Sequence, residues 1–461
     1  MVLAILLRNR ENFNKRISLK IRLDICLYNK LSIYNPFINI SFGTLFMVKQ
    51  VLDIGFFSTM YSQINGTAHA VRFLSEAIAN LGHNVHVFAP RIQNGYEIPK
   101  TLHFHELGGA IIGDNTGFVL SVPLHKIFFC QHDYLDIAHI HTHAVIGSMA
   151  INWAKYLGIP MIGTHNSPMQ YYTAQYVPVI GKLLTKGDFI WRYERHVVDK
   201  YDFVHVATKS KKDLLRDFRF KEPIVCMTNG VRDLYYTNLK ENGIREKYGL
   251  EGKKIFLYAS RLSPEKHPLE IIKIFKRVHD EVPDAHLLLV GSDGPSKDHV
   301  KHLIKKRQYR DFVSYEGRVP FPDLLKLYNA ADLTGLWSWV EAEGLVLIEA
   351  MAQGTPNVGA NACGISNIIR HGKTGYLANN LDQFKDYVVK LLKDDDLRAE
   401  FGKNAKEIAQ NYRVSEIAKT WIKLYKFTID ELYPLRYNRV DRKERVDLVK
   451  EFIQKLPNVS F

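Results

Sequence analysis

From Val51 onward, short apolar runs alternate with stretches in which apolar residues recur at helical spacing, the pattern of parallel α/β units. VLDIGFF (51–57) reads as a buried strand, STMYSQING as a loop, and TAHAVRFLSEAIANLGH as a helix ending at Gly82, with NVHVFAP as the next strand. Strand, loop, helix and strand make one βαβ unit. Further strands are predicted at LHFHEL (102–107), DIAHIHT (136–142), PMIGTH (160–165), DFVHVAT (202–208) and PIVCMTN (223–229). A second set runs through KIFLYAS (254–260), HLLLVG (286–291), FVSYEG (312–317), DLTGLW (332–337) and PNVGA (356–360). After Gly375 the pattern is helical to about Leu432, and a polar stretch of mixed charge follows. The expected fold class is α/β, with two doubly wound, Rossmann-like domains in series and a cleft between them. The turn-rich NGVRDLYYTNLKENG (229–243) separates them. Residues 47–235 are assigned to the first domain, 236–410 to the second and 411–461 to a C-terminal helical tail.

Composition narrows the partners. At 461 residues, 46% hydrophobic and 24% charged, the chain has the balance of a soluble globular protein with length for two or three domains. Cys26, Cys130, Cys226 and Cys363 show no C-x-x-C spacing, which argues for a reducing compartment and against a disulfide framework or zinc ribbon. A net charge of +14 points to anionic partners: nucleotide, nucleic acid or an acidic membrane face. Residues 1–46 hold seven Lys/Arg against Glu11 and Asp24, which leaves +9 on the rest. That extension has a charge-free run from Leu31 to Val48, near a membrane span in length but broken by Asn35, Pro36, Asn39 and Gly43. An upstream extension with Met47 as the working start, an organelle transit peptide and a membrane anchor all fit; the strand that begins just after Met47 favours the first.

Four stretches offer chemistry. SQINGTAHA places Asn65 and Gly66 between strand and helix, where backbone amides can meet a phosphate or sugar, although a tight turn explains the glycine as well. There is no G-x-G-x-x-G and no G-K-[ST], so neither a dinucleotide fingerprint nor a P-loop is present. ASRLSPEKHP sets Arg261 and Lys266 at the C-terminal end of a strand, where two cations can clamp a diphosphate or stand as solvated surface charge. In EAEGLVLIEAMAQGTP (341–356) a helix from about Gly344 to Gln353 is stopped by Gly354, so Glu349 lies too deep to be a cap. Its carboxylate needs a partner if buried, while Glu341 and Glu343 can be ordinary caps. His139, His141 and His143 alternate on a strand and share one face; a metal site would need further ligands that nothing fixes, and one functional histidine beside two packed ones is the better expectation.

The order and spacing of these pieces resemble the GT-B glycosyltransferases of the large retaining family 4, from about Val51 to Tyr425. IGFFSTMYSQINGTAHAVRFLSEAIANLGHNVHVFAP, DIAHIHTH, ASRLSPEKHP and EAEGLVLIEAMAQGTP with CGISNIIRHGKTGYL carry the resemblance. It implies that Arg261 and Lys266 hold the diphosphate of a UDP- or GDP-hexose, helped by the amides around Gly344 and Leu345. By the same resemblance Glu349 accepts hydrogen bonds from the ribose, Glu341 contacts the donor sugar, and His141 is the active-site histidine reaching across the cleft. Asn65 and Gly66 then line the floor under diphosphate and sugar, and Arg318 in EGRVPFPDLL meets the nucleobase through its backbone. The implied catalysis needs no metal and no cofactor, with preorganised cations and amides stabilising the leaving diphosphate.

Many members read E-P-F-G where this chain reads Glu341-Ala342-Glu343-Gly344, which leaves the sugar open. E-A-E-G is similar to the E-T-Q-G of diacylglycerol glucosyltransferases, and THNSPMQYYTAQYVP (164–178) resembles their H-T…Y-T-x-Y-x-P segment with one residue more between the tyrosines. A lipid acceptor also suits the basic, aromatic stretch 171–200, in which Trp191, Arg192, Tyr193 and Arg195 can rest in a headgroup layer or belong to a core helix with a solvated face. The expected protein is cytoplasmic and peripheral on an anionic membrane. A soluble or polymer-linked sugar acceptor is the alternative within the enzyme class. A Rossmann-type dinucleotide- or nucleic-acid-binding protein is the alternative outside it, disfavoured because no aromatic-basic RNA signature is present.

Overall fold

The computed structural model describes residues 50–61, 65–90, 97–107, 135–143, 145–166, 189–237 and 243–461. The first sheet comprises β1 (Asp53–Phe57), β2 (Asn84–Pro90), β3 (Leu102–Leu107), β4 (Ile137–Ile140), β5 (Met161–Thr164), β6 (Phe203–Val206) and β7 (Ile224–Cys226). The second comprises β8 (Lys254–Ala259), β9 (Ala285–Val290), β10 (Val313–Tyr315), β11 (Leu333–Leu336), β12 (Asn357–Ala360) and β13 (Gly375–Ala378). Every pairing in both sheets is parallel. Parallel strands demand crossover helices, and helices on both faces bury a strand entirely, so such strands read as continuous apolar runs. β4, β5, β6 and β9 are accordingly buried at every position.

Strand order positions the site. The first sheet runs β3-β2-β1-β4-β5-β6-β7 and the second β10-β9-β8-β11-β12-β13. Each reverses direction once, between β1 and β4 and between β8 and β11, and loops leaving the carboxyl ends of strands at such a reversal splay apart into a crevice. The loops that follow these four strands hold Asn65 and Gly66, His141, Arg261 and Lys266, and Glu341 and Gly344 respectively. Val51–Phe461 form one compact unit.

The cores explain how the chain closes. Around the second sheet, Phe256, Leu287 and Leu333 pack against Ile271, Phe275 and Ile348 from its helices. One face of the first sheet is covered by the helix Gly66–Asn80 and, from far along the sequence, by the helix Val414–Phe427. Trp421 and Tyr425 of that late helix are fully buried, with the Trp421 ring 4.5 Å from the His139 ring. The segment after 411 is thus part of the first sheet's packing, and Val449 and Ile453 of the helix Arg442–Gln454 join the same core.

Three local expectations change. β13 was expected to be helical territory; its four residues after Gly375 are too short for a periodic signal, and Gly375 fits there because a Cβ would lie 1.9 Å from the Asn357 carbonyl oxygen. Of the three alternating histidines only His139 lies on β4, and His141 and His143 follow its end. Trp191 does not reach a headgroup layer: it is buried with its ring stacked 3.9 Å from Phe218. Most of 164–178 and the whole of residues 1–46 lie outside the described residues.

Candidate functional site

A cavity of about 480 Å³ lies between the two sheets. Its lining includes Asn65, Gly66, Arg261, Lys266, Arg318, Glu341, Gly344, Leu345 and Glu349. Residues scattered over nearly 300 positions meet there because both strand reversals face it.

The two cations after β8 are held rather than loose. Arg261 donates to Glu265 at 3.0 Å, and buried Glu265 also accepts from Ser263 Oγ at 2.6 Å. Lys266 follows in a short turn, Pro264–Lys266, and its ammonium is hydrogen-bonded to Glu341 from the loop after β11. The pair joins two loops at the cavity wall, with both side chains mostly buried. Gly344 then begins the helix Leu345–Gln353 in the left-handed region (φ 86°), which only glycine adopts cheaply. No side chain caps this helix and no acid stands in its first turn, so its leading amides face the cavity as anion-binding donors. Gly354 ends it with φ 88°.

Neither Glu341 nor Glu343 is a cap. Glu341 pairs with Lys266, and Glu343 is buried against Thr228 and Asn229. Glu349 is buried too, and it has the partner its position demands: the Tyr328 hydroxyl donates to it at 2.8 Å. Burial raises its pKa, with hydrogen bonds from Tyr328 and Tyr235 pulling the other way. On the opposite wall, Asn65 caps the helix Gly66–Asn80 by accepting from the Ala68 N–H at 2.9 Å. A Cβ at Gly66 would meet nothing within 4 Å, so local sterics do not require glycine there.

His141 sits behind this wall, buried, with its ring stacked on Phe56 at 5.4 Å. Both ring nitrogens lack a hydrogen-bond partner among the described residues. Burial first, then His205 and His143, lower its pKa to about 3, so it is neutral near pH 7. Among the described residues, one group has metal-ligand atoms close together: His143, His165 and Glu194, within 4.8 Å. His165 pairs with Glu194 at 3.4 Å, and the Lys211 ammonium, its pKa lowered to about 8 by burial, interacts with the same carboxylate. The lysine supplies the positive charge Glu194 needs, which makes the cluster an internal ion network.

The structure adds lining residues that the sequence did not single out. His69, Arg72 and Phe73 project from the first-lobe helix, and Arg232, which follows the inter-sheet NGV, lies over the Phe73 ring at 4.3 Å. His69, Phe73 and Glu76 recur at i, i+4 and i+7, a second stripe that could have been read beside the apolar one. Tyr328 gave no such signal, because it looks like one more apolar position on its helix.

Comparison with known proteins agrees with this arrangement. The family described as Glycosyltransferase Family 4 matches residues 64–233, and that described as Glycosyl transferases group 1 matches residues 240–408. N-acetyl-alpha-D-glucosaminyl L-malate synthase of Bacillus anthracis is 26% identical over 80% of this chain and 95% of its own. Alpha-monoglucosyldiacylglycerol synthase of Streptococcus pneumoniae is 27% identical over 71% of this chain and 75% of its own. Among solved structures, Anabaena HepE in complex with UDP and glucose superposes with a TM-score of 0.65 at 17% identity, covering 81% of this chain and 99% of that one. Two Rossmann-like sheets facing a shared cleft, with one family match on each, make this chain a GT-B glycosyltransferase of family 4, the group 1 glycosyl transferases.

Proposed function

We propose that the protein is a retaining hexosyltransferase that takes its sugar from a UDP- or GDP-hexose and transfers it to the hydroxyl of a membrane lipid such as diacylglycerol. The observation that carries the reading is the single cavity in which Arg261, Lys266, an uncapped helix N-terminus and Glu349 face one another. In this reading the second lobe, 236–410, binds the donor and the first, 47–235, the acceptor. Arg261 and Lys266 take the diphosphate charge, the amides at Gly344 and Leu345 add to it, and Arg318 flanks the nucleobase. Glu349 accepts from the ribose hydroxyls. Glu341, released from Lys266 when phosphate competes for the ammonium, reaches the donor sugar. Asn65 and Gly66 form the floor, where the lack of a side chain at Gly66 leaves room for the ligand.

Negative charge develops on the leaving diphosphate, and fixed cations and amides in a water-poor cleft stabilise it without reorganising. The acceptor attacks from the face the phosphate leaves, which retains configuration and lets the departing phosphate take the proton. His141 is neutral and lies outside the cavity lining, so in this reading it reaches the sugar hydroxyls only when domain closure brings its ring into the cleft. Crystal structures of one relative, Anabaena HepE, with UDP and with UDP and glucose, and the name of the pneumococcal relative support the choice of donor and lipid.

A soluble acid acceptor is the second reading. Arg72, Arg232 and Arg318 line the cavity beyond the diphosphate clamp, and the Bacillus anthracis relative is named for a malate product. The discriminating experiment measures UDP or GDP released from a panel of nucleotide sugars with diacylglycerol, with malate and with neither. Lys266→Ala is expected to abolish release in the productive pair while leaving the fold intact. Unchanged release would remove the donor-site assignment.

A further inference from the structure

Glu343 is the acid of the Glu341–Glu349 stretch with no place in the donor scheme, yet it is 2% exposed and fully engaged. Thr228 Oγ1 donates to its carboxylate, the Asn229 N–H lies 3.2 and 3.1 Å from its two oxygens, and Asn229 Nδ2 donates at 2.8 Å. Thr228 and Asn229 follow β7, the last strand of the first sheet, and open the segment that leads to the second. Adjacent residues tie the same loop. The Ala342 carbonyl accepts from Thr208 Oγ1 at 3.0 Å, and the Glu341 carbonyl accepts from the Gly364 N–H at 3.0 Å. A Cβ at Gly364 would lie 2.6 Å from the Glu343 backbone, so the packing there is close.

We infer that Glu343 is a positioning residue for glycosyl transfer: by holding Thr228 and Asn229 it docks the loop that bears Glu341 and Gly344 onto the inter-lobe linker. The inference rests on the donor-site reading above. Its physical content is that one buried carboxylate couples lobe arrangement to the placement of the donor-side groups. Bonds to an ionised acceptor are the strong kind, and losing them leaves Thr228 and Asn229 with buried, unmatched donors.

A titration marks the residue. Burial raises the Glu343 pKa to about 7 against the bonds from Thr228 and Asn229, with Glu341 adding to the rise. Cys226 on β7 and Tyr412, itself near Arg370, face it from the other side. Protonation removes one accepting oxygen, so docking weakens as pH falls below 7.

The test measures kcat and donor KM for the wild type, Glu343→Gln, Thr228→Val, the double variant and Lys266→Ala between about pH 6 and 8. Glu343→Gln is expected to lower kcat on the order of ten-fold, with donor KM moving less than about three-fold. Thr228→Val should do the same in part, and the double variant should be no worse than Glu343→Gln alone, the signature of coupled partners. The acid limb near pH 7 should vanish in Glu343→Gln. Wild-type kcat in Glu343→Gln, or effects that multiply in the double variant, overturn the inference. Should Glu343→Gln fail to fold, Thr228→Val decides alone: an unchanged kcat and pH profile sink the idea. Full transfer by Lys266→Ala would instead remove the donor-site reading and leave the coupling result standing by itself.

Discussion

Glu349 is unfavourable for the fold as a buried carboxylate, and in the proposed reaction it is required. Its carboxylate is buried, its pKa is raised by desolvation, and its hydroxyl partner comes from Tyr328. A pKa raised in the folded state means the fold prefers the neutral form, and its stabilising contribution is present at low pH and lost as pH rises through the folded value. Glu349→Gln is therefore expected to keep or gain stability at pH 7 while transfer falls on the order of 10- to 100-fold, the loss of charge-assisted bonds to the ribose. Thermal unfolding and initial rates on the same preparation check both halves; a stability loss with full activity would make Glu349 a structural acid. Its isolation was legible in the sequence, because it stands among Ala350, Met351 and Ala352 past the reach of a cap. The role of Glu343 was not, because its partners lie 114 and 115 residues earlier and only the fold brings them together.

At the scale of elements, apolar runs located twelve of the thirteen strands because buried parallel strands have no polar face to confuse the pattern. Docking of the Val414–Phe427 helix on the first sheet was not legible, since an amphipathic helix says that it packs and not against what. That docking seals a histidine layer. His139, bonded to the Tyr425 hydroxyl at 2.7 Å, lies with His141, His143, His165 and His205 in the first lobe, all buried and all with pKa lowered mainly by desolvation. A lowered folded pKa means the unfolded chain binds the extra protons, so stability falls as pH drops below about 6.5. Asp202, raised to about 6 by burial, and Glu343 act in the opposite sense, losing their contribution as pH rises. Glu222 and Glu349 are raised by burial as well, and His69, His83 and His286 are lowered, so among the described residues eight lowered histidines against four raised acids set the sign. The midpoint of thermal unfolding is expected to drop by at least about 5 °C between pH 7.5 and 5.5; a flat or rising midpoint would mean the histidines are not held neutral.

Across the whole molecule, the donor-side candidates, from the loops at the two strand reversals and Arg318 after β10, line one cavity, so the short, separated motifs that identified the fold also pointed to residues that lie together. The surface is less determined by such rules, and the membrane expectation belongs there. Among the described residues no helix is long and apolar enough to cross a bilayer. The first lobe offers Phe189, 63% exposed, and Arg192, exposed on the same helix Phe189–Val198, while Trp191 between them faces the core. An exposed aromatic beside a cation, on a chain of net charge +14, suits the headgroup layer of an anionic membrane. Such attraction is screened within about 10 Å at 0.1 M salt, and each basic residue near the surface contributes about 1 kcal/mol. The protein is expected to sediment with phosphatidylglycerol vesicles at low salt, to be released as salt rises, and to ignore phosphatidylcholine vesicles. Reversing one charge in Phe189→Ser/Arg192→Glu should weaken vesicle binding on the order of ten-fold without changing donor affinity, since neither residue lines the cavity. Vesicle binding untouched by that double change would move the contact to another face. No binding to anionic vesicles at low salt would remove the membrane reading and leave the soluble acceptor in its place.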